Sequence, residues 1–86
     1  MTYIELLTKF VEGNLKVDDL ETLFLDKFKQ ECHFISDKEF KILEKFFEDV
    51  DSYYNEENEL FDPDFDLTEE ELRKSAEETL ILLKAL

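Results

Sequence analysis

Three carboxylates at alternate positions, Asp62, Asp64 and Asp66, are the first residues here whose spacing could do chemistry. An EF-hand calcium loop opens in this way, but it needs Gly at its sixth position and a bidentate Glu at its twelfth. Leu67 and Arg73 stand there, so no specific calcium site is expected. Cys32 and His33 set a thiol beside an imidazole. Neighbours on a helix point about 100° apart, and no further Cys or His completes a zinc site. Cys32 reads as a small core residue beside a polar helix end. Paired carboxylates could cleave glycosides, but only with one of them held in a concave, partly dry pocket. A chain of 86 residues with a single Gly is poorly equipped to build one. No catalytic residue and no cofactor is expected, and the chain reads as a binding protein rather than an enzyme.

The acids themselves carry the signal. Residues 48–72 hold twelve Asp and Glu and no Lys, Arg or His, which is half of the twenty-four acids in the chain. Charge runs are usually solvated faces. Here the repulsion has no local compensation and works against the folded state. Tyr53 and Tyr54 sit at its edge, and Tyr is enriched among residues that dominate interfaces. Both features favour an interaction surface. Asn55, Asn58 and the Asp62-Pro63-Asp64 run should break the helix within this stretch. Leu60, Phe61, Phe65 and Leu67 are interleaved with the acids and should peg the segment to the rest of the fold.

The elements that position these residues are legible from caps and apolar spacing. Thr2 with Glu5, Asp18 with Glu21, Ser36 with Glu39 and Thr68 with Glu71 each fit a capping box at a helix start. The first stripe is Tyr3, Leu7 and Phe10, widened by Ile4 and Val11, with Gly13 placed for a C-terminal cap. Leu20, Phe24 and Phe28 form the second, with Leu23 and Leu25 at its sides. Phe40, Leu43, Phe47, Val50 and Tyr54 form the third, with Phe47 mid-stripe and buried. Leu72, Ala76, Leu80 and Leu83 form the fourth. One Gly and one Pro leave little for strand turns. The expected fold is all-α, an antiparallel four-helix bundle, in one domain over residues 1–86.

Composition sets the rest. Nine Phe and three Tyr supply a dense core for a short chain. A net charge of −14 repels phosphate backbones and anionic membranes, so direct nucleic-acid or membrane binding is not expected. A basic protein surface is the expected partner. A lone Cys points to a reducing compartment, and the start lacks the basic and long apolar regions of a signal peptide. The longest apolar run, residues 80–83, is far short of a membrane span. A cytoplasmic monomer is the expectation.

Two resemblances bear on function. Asp51-Ser52 is similar to the Asp-Ser that receives phosphopantetheine in acyl carrier proteins, which are also small, acidic and four-helical. In that family Leu usually follows the Ser at the start of the second helix, whereas Tyr53 follows here, near the end of the third. An acidic carrier or adaptor that binds basic partners is the alternative reading.

From Tyr3 to Leu83 the order of features resembles the colicin D immunity protein family of bacteria. Ile4-Glu5-Leu6-Leu7-Thr8-Lys9-Phe10 is similar to the family's first helix. Glu12-Gly13-Asn14-Leu15-Lys16-Val17 is similar to its following turn. Phe46-Phe47 with Asp51-Ser52-Tyr53 is similar to the end of its third helix, and Asp66-Leu67-Thr68-Glu69-Glu70-Glu71-Leu72-Arg73 to the start of its last. Where the family commonly has Pro after its aromatic, Asn55 stands here. The resemblance implies a bundle that binds a co-expressed nuclease toxin, typically a tRNase. Its acidic surface would cover the toxin's basic active site in place of substrate phosphates. Such toxins are delivered as bacteriocins or by contact-dependent inhibition. Carried over, the toxin-binding residues are Asp51, Tyr53, Glu56, Glu57, Glu59, Asp62, Asp64 and Asp66, with Tyr54 at the edge of the same surface.

Overall fold

The computed structural model of the chain describes residues 1–54, 58–64 and 66–86. Four helices follow one another: α1 (Tyr3–Val11), α2 (Val17–Glu31), α3 (Asp37–Ser52) and α4 (Glu69–Lys84). α1 lies between α2 and α4, and α3 packs on α4 and, less extensively, on α2. Short connections at 12–16 and 32–36 reverse the chain, so successive helices run antiparallel, as the apolar stripes predict. Among the described residues no helix is long and apolar enough to cross a membrane.

Local chemistry explains the helix ends. Thr2 and Ser36 accept hydrogen bonds from the Glu5 and Glu39 amides at 3.1 and 3.2 Å. Thr68 and Glu71 close a full reciprocal capping box at α4. Gly13 ends α1 at φ +83°, where an L side chain would be strained. Its amide and that of Asn14 donate to the Phe10 and Lys9 carbonyls, the two bonds of a Schellman cap.

The expected Asp18 cap is not formed. α2 begins two residues earlier, with Lys16 at the N-cap and no side-chain cap bond. Val17 is buried and belongs to the core stripe, so packing draws it into the first turn. Asp18 and Asp19 then lie inside that turn, where carboxylates favour the positive end of the helix dipole.

The core is built on rings. Tyr3 and Phe46 meet Phe24 edge-on at 6.0 and 5.1 Å between centroids. Phe28 stacks on Phe24 at 5.7 Å. In α3 the buried residues are Leu43, Phe46 and Val50. Phe47, expected at the centre of that stripe, is half-buried and flanks Phe28, as does Phe40. The stripe is rotated by one residue because α3 faces α4 as well as α2, which brings Phe46 to the centre. Tyr54 lies beyond the end of α3 and is not part of its stripe. In α1 the same widening buries Leu6 and leaves Ile4 exposed, and Leu23 of α2 is also exposed.

Candidate interaction site

α3 ends at Ser52 and α4 starts at Glu69, and the acidic connection runs between them. Its two ends are pinned together. Tyr53 and Leu67 form an isolated parallel bridge, in which the Leu67 amide donates to the Ser52 carbonyl at 2.9 Å. The Tyr54 amide donates to the Leu67 carbonyl at 3.2 Å. Tyr53 also packs against the core. The chain therefore leaves and re-enters the bundle at one neck, as in an Ω-loop.

Within the loop the carboxylates bond to backbone. Asp62 Oδ1 accepts from the Asp64 amide, and Asp66 Oδ2 accepts from the Asp62 amide, both at 2.9 Å. The Asp66 amide returns a bond to the Asp62 carbonyl at 2.7 Å. Two of the three alternating Asp residues thus shape a turn. Among the described residues no group of His, Cys, Asp or Glu could hold a metal ion.

The expected site residues divide accordingly. Asp51, Glu59 and Asp64 are exposed, whereas Tyr53, Tyr54, Asp62 and Asp66 are half-buried. Glu56 and Glu57 lie outside the described residues. Of the expected pegs, Phe61 and Leu67 are half-buried, and Phe65 also lies outside the described residues. Leu60 is not a peg: it is 75% exposed. The Asn58 side chain accepts from the Leu60 amide at 2.9 Å, and this tight turn carries the Leu60 side chain outward.

Two contacts at this end have no local sequence signal. The Ser75 hydroxyl of α4 donates to Asp49 of α3, across twenty-six positions of sequence. Asp49 is thus a tie between helices rather than a free surface charge. Arg73 lays its guanidinium over the Phe10 ring, 5.3 Å from the centroid; its pair with Glu69 at 3.4 Å is by contrast a local i,i+4 contact. Ser52, the residue that suggested a carrier, ends α3 and donates its hydroxyl to the Glu48 carbonyl at 2.9 Å.

The electrostatics of α3 set this end apart. The first turn of every helix carries acids, and the last turns of α1, α2 and α4 carry Lys9, Lys29 and Lys84. Each of those seven ends carries at least one charge that complements the helix dipole, although Glu31 shares the last turn of α2 with Lys29. The α3 C-terminus has no base in its last turn, which instead carries Asp49 and Asp51. Carboxylates there face the negative end of the dipole. That is an unfavourable arrangement for folding, and it lies beside the loop neck.

These features define a small helical bundle with an acid-rich connection between α3 and α4. The chain belongs to the family of bacterial self-protective colicin-like immunity proteins, whose family model matches residues 1–83. No curated protein and no solved structure matches it. Membership places the chain among proteins that protect the producing cell from a cognate toxin.

Proposed function

We propose that the chain neutralises a nuclease toxin, one that cleaves tRNA as the resemblance to the colicin D immunity proteins implies. It does so without catalysis, by laying the acidic end of the bundle over the toxin's basic active site. The carboxylates of Asp51, Glu56, Glu57, Glu59, Asp62, Asp64 and Asp66 stand where substrate phosphates would, and Tyr53 and Tyr54 frame them. One observation carries this reading: among the described residues, the α3 C-terminus is the helix end with no base in its last turn, where Asp49 and Asp51 face the negative end of the dipole. Charges that work against folding are explained when their benefit comes from a partner.

The physics of the partner fits. A site that binds nucleic acid must be rich in Lys and Arg. A facing set of carboxylates accelerates encounter and fixes register. The turn bonds of Asp62 and Asp66 hold part of this surface in shape before binding, which lowers the ordering cost. The complex is held in the cytoplasm by a monomeric inhibitor. The decisive assay mixes the purified chain with the toxin domain encoded beside it and with tRNA. Protection at one-to-one stoichiometry is expected. A neighbouring toxin that cuts no nucleic acid, or one that still cuts it when the chain is bound, overturns the reading.

A further inference from the structure

The outer side of α3 carries a second set of charges that the fold leaves unused. Lys38, Lys41 and Lys45 follow one another at steps of three and four, so they form one row, and all three are exposed. Like charges at that spacing repel each other on a helix. In α2 and α4 opposite charges stand four apart and pair, Lys27 with Glu31 and Arg73 with Glu69. Lys41 and Lys45 share a shallow hollow of about 240 Å³ with Glu44 and Glu48. Even so, none of the three lysines forms an ion pair among the described residues.

The row continues into the acidic end of the same helix. From Lys45 to Asp51 α3 rises about 9 Å, with Glu48 between them. Physiological salt screens charges over about 8 Å, so a partner lying along α3 meets the two signs separately. A stable complex also takes about 20–30 residues from each side. The connection at 53–68 is shorter than that, and much of it is half-buried. A partner seated there extends onto a neighbouring face. The acids that open α4 already serve its dipole and cap, whereas the exposed charges of α3 are free.

We propose, on the inhibitory reading above, that this lysine row extends the toxin-binding face and takes a patch of Asp and Glu set beside the toxin's basic active site. Opposite signs side by side fix the toxin's register along α3, because a reversed dock sets like charges together. The row thereby selects the cognate toxin among others that share a basic active site. Glu44 flanks the row and takes no part, since a carboxylate repels such a patch. Nucleic acid is a poor occupant, because the net charge of −14 repels its phosphates.

The test measures affinity for the toxin domain encoded beside the chain, at about 0.15 M salt. Lys41→Glu with Lys45→Glu is compared with Lys29→Glu with Lys84→Glu, two lysines exposed on α2 and α4. Circular dichroism checks that both variants remain helical. Both make the chain more acidic by the same amount, and net charge alone would tighten binding to a basic toxin in each. The row variant should instead bind about tenfold more weakly or worse, while the Lys29 and Lys84 variant binds as well as wild type or better. Lys41→Gln with Lys45→Gln, which introduces no new charge, should lose several-fold. Changing one toxin Asp or Glu to Lys should restore binding to the row variant and weaken binding to the wild type. Equal affinities for the two reversed variants, or no toxin acid whose reversal restores binding, would overturn the row. So would binding of tRNA to the free chain that the row variant loses. Amide replacement of Asp51, Glu59 and Asp64 separates this contact from the inhibitory surface. If only that variant loses affinity, the row falls and the surface stands; if only the row variant loses it, the surface falls and the lysine contact stands.

Discussion

Two neighbouring helix ends, both acidic, meet at the Tyr53–Leu67 bridge, and they have opposite physical meanings. At the start of α4, Glu69, Glu70 and Glu71 face the positive end of the helix dipole, and Glu71 completes a capping box with Thr68. Those acids help the protein fold. At the end of α3, Asp51 faces the negative end with no base in the last turn, so it weakens the fold. A count of acids treats the two as one run. The backbone separates them into a set that supports the fold and a set that works against it.

Both ends stand on the ring core, and disturbing that core should have the largest effect. Phe46→Ala should cost about 3–5 kcal/mol, through lost burial and the cavity left behind. Phe47→Ala should cost clearly less, since that ring is half-exposed at the edge. Chemical denaturation of the two variants checks this; equal losses would put the α3 register in error.

The caps come next. Thr68→Ala should lower stability by about 1 kcal/mol, as expected for loss of an N-cap oxygen. Asp51→Asn should act in the opposite direction, raising stability by a few tenths of a kcal/mol in low salt and less in high salt. A stabilising Thr68→Ala or a destabilising Asp51→Asn would erase the contrast between the two helix ends. Asp66 sharpens it further, because its side chain holds the Asp62 amide. Asp66→Asn retains an acceptor and should keep the loop's amide shifts, whereas Asp66→Ala should scatter them with little change in global melting.

The smallest effect is expected at the far end. Tyr3 has its pKa raised by burial and by Glu31, so the folded state keeps the phenol protonated where the unfolded chain would release the proton. The stabilisation is complete below the ordinary tyrosine value of about 10 and is lost as pH rises beyond it. Tyr3→Phe should therefore flatten the alkaline fall in stability relative to the wild type and change nothing at neutral pH.

How much of this was legible in the sequence follows from the range of the forces involved. Caps at Thr2, Ser36 and Thr68, the Gly13 turn and the stripes of α2 and α4 are local, and the structure reproduces them. Phe46 against Phe47, and Leu6 against Ile4, depend on which neighbours flank a helix, and periodicity alone leaves that open by one step. The α2 start moved for the same reason, since burying Val17 outweighed a cap at Asp18. The acid-rich surface was visible as composition. The roles of individual acids were not, because Asp49 meets Ser75 only in the folded bundle, and Asp62 and Asp66 turn towards amides whose positions the loop creates.

The central claim is that acids beside the α3 C-terminus serve a partner rather than the fold. The direct measurement is the affinity for the neighbouring toxin domain of a variant with Asp51, Glu56, Glu57, Glu59 and Asp64 changed to their amides. A control variant carries the same change in charge at Glu5, Glu12, Glu21, Asp26 and Glu44, all of them exposed elsewhere on the bundle. Several charge-assisted contacts, each worth about 1.5–3 kcal/mol, should vanish in the first variant, which weakens binding by orders of magnitude. The control should stay within about tenfold of wild type, its loss confined to long-range steering at low salt. Equal affinities for the two variants would contradict the account and reduce the acidic end to general surface charge.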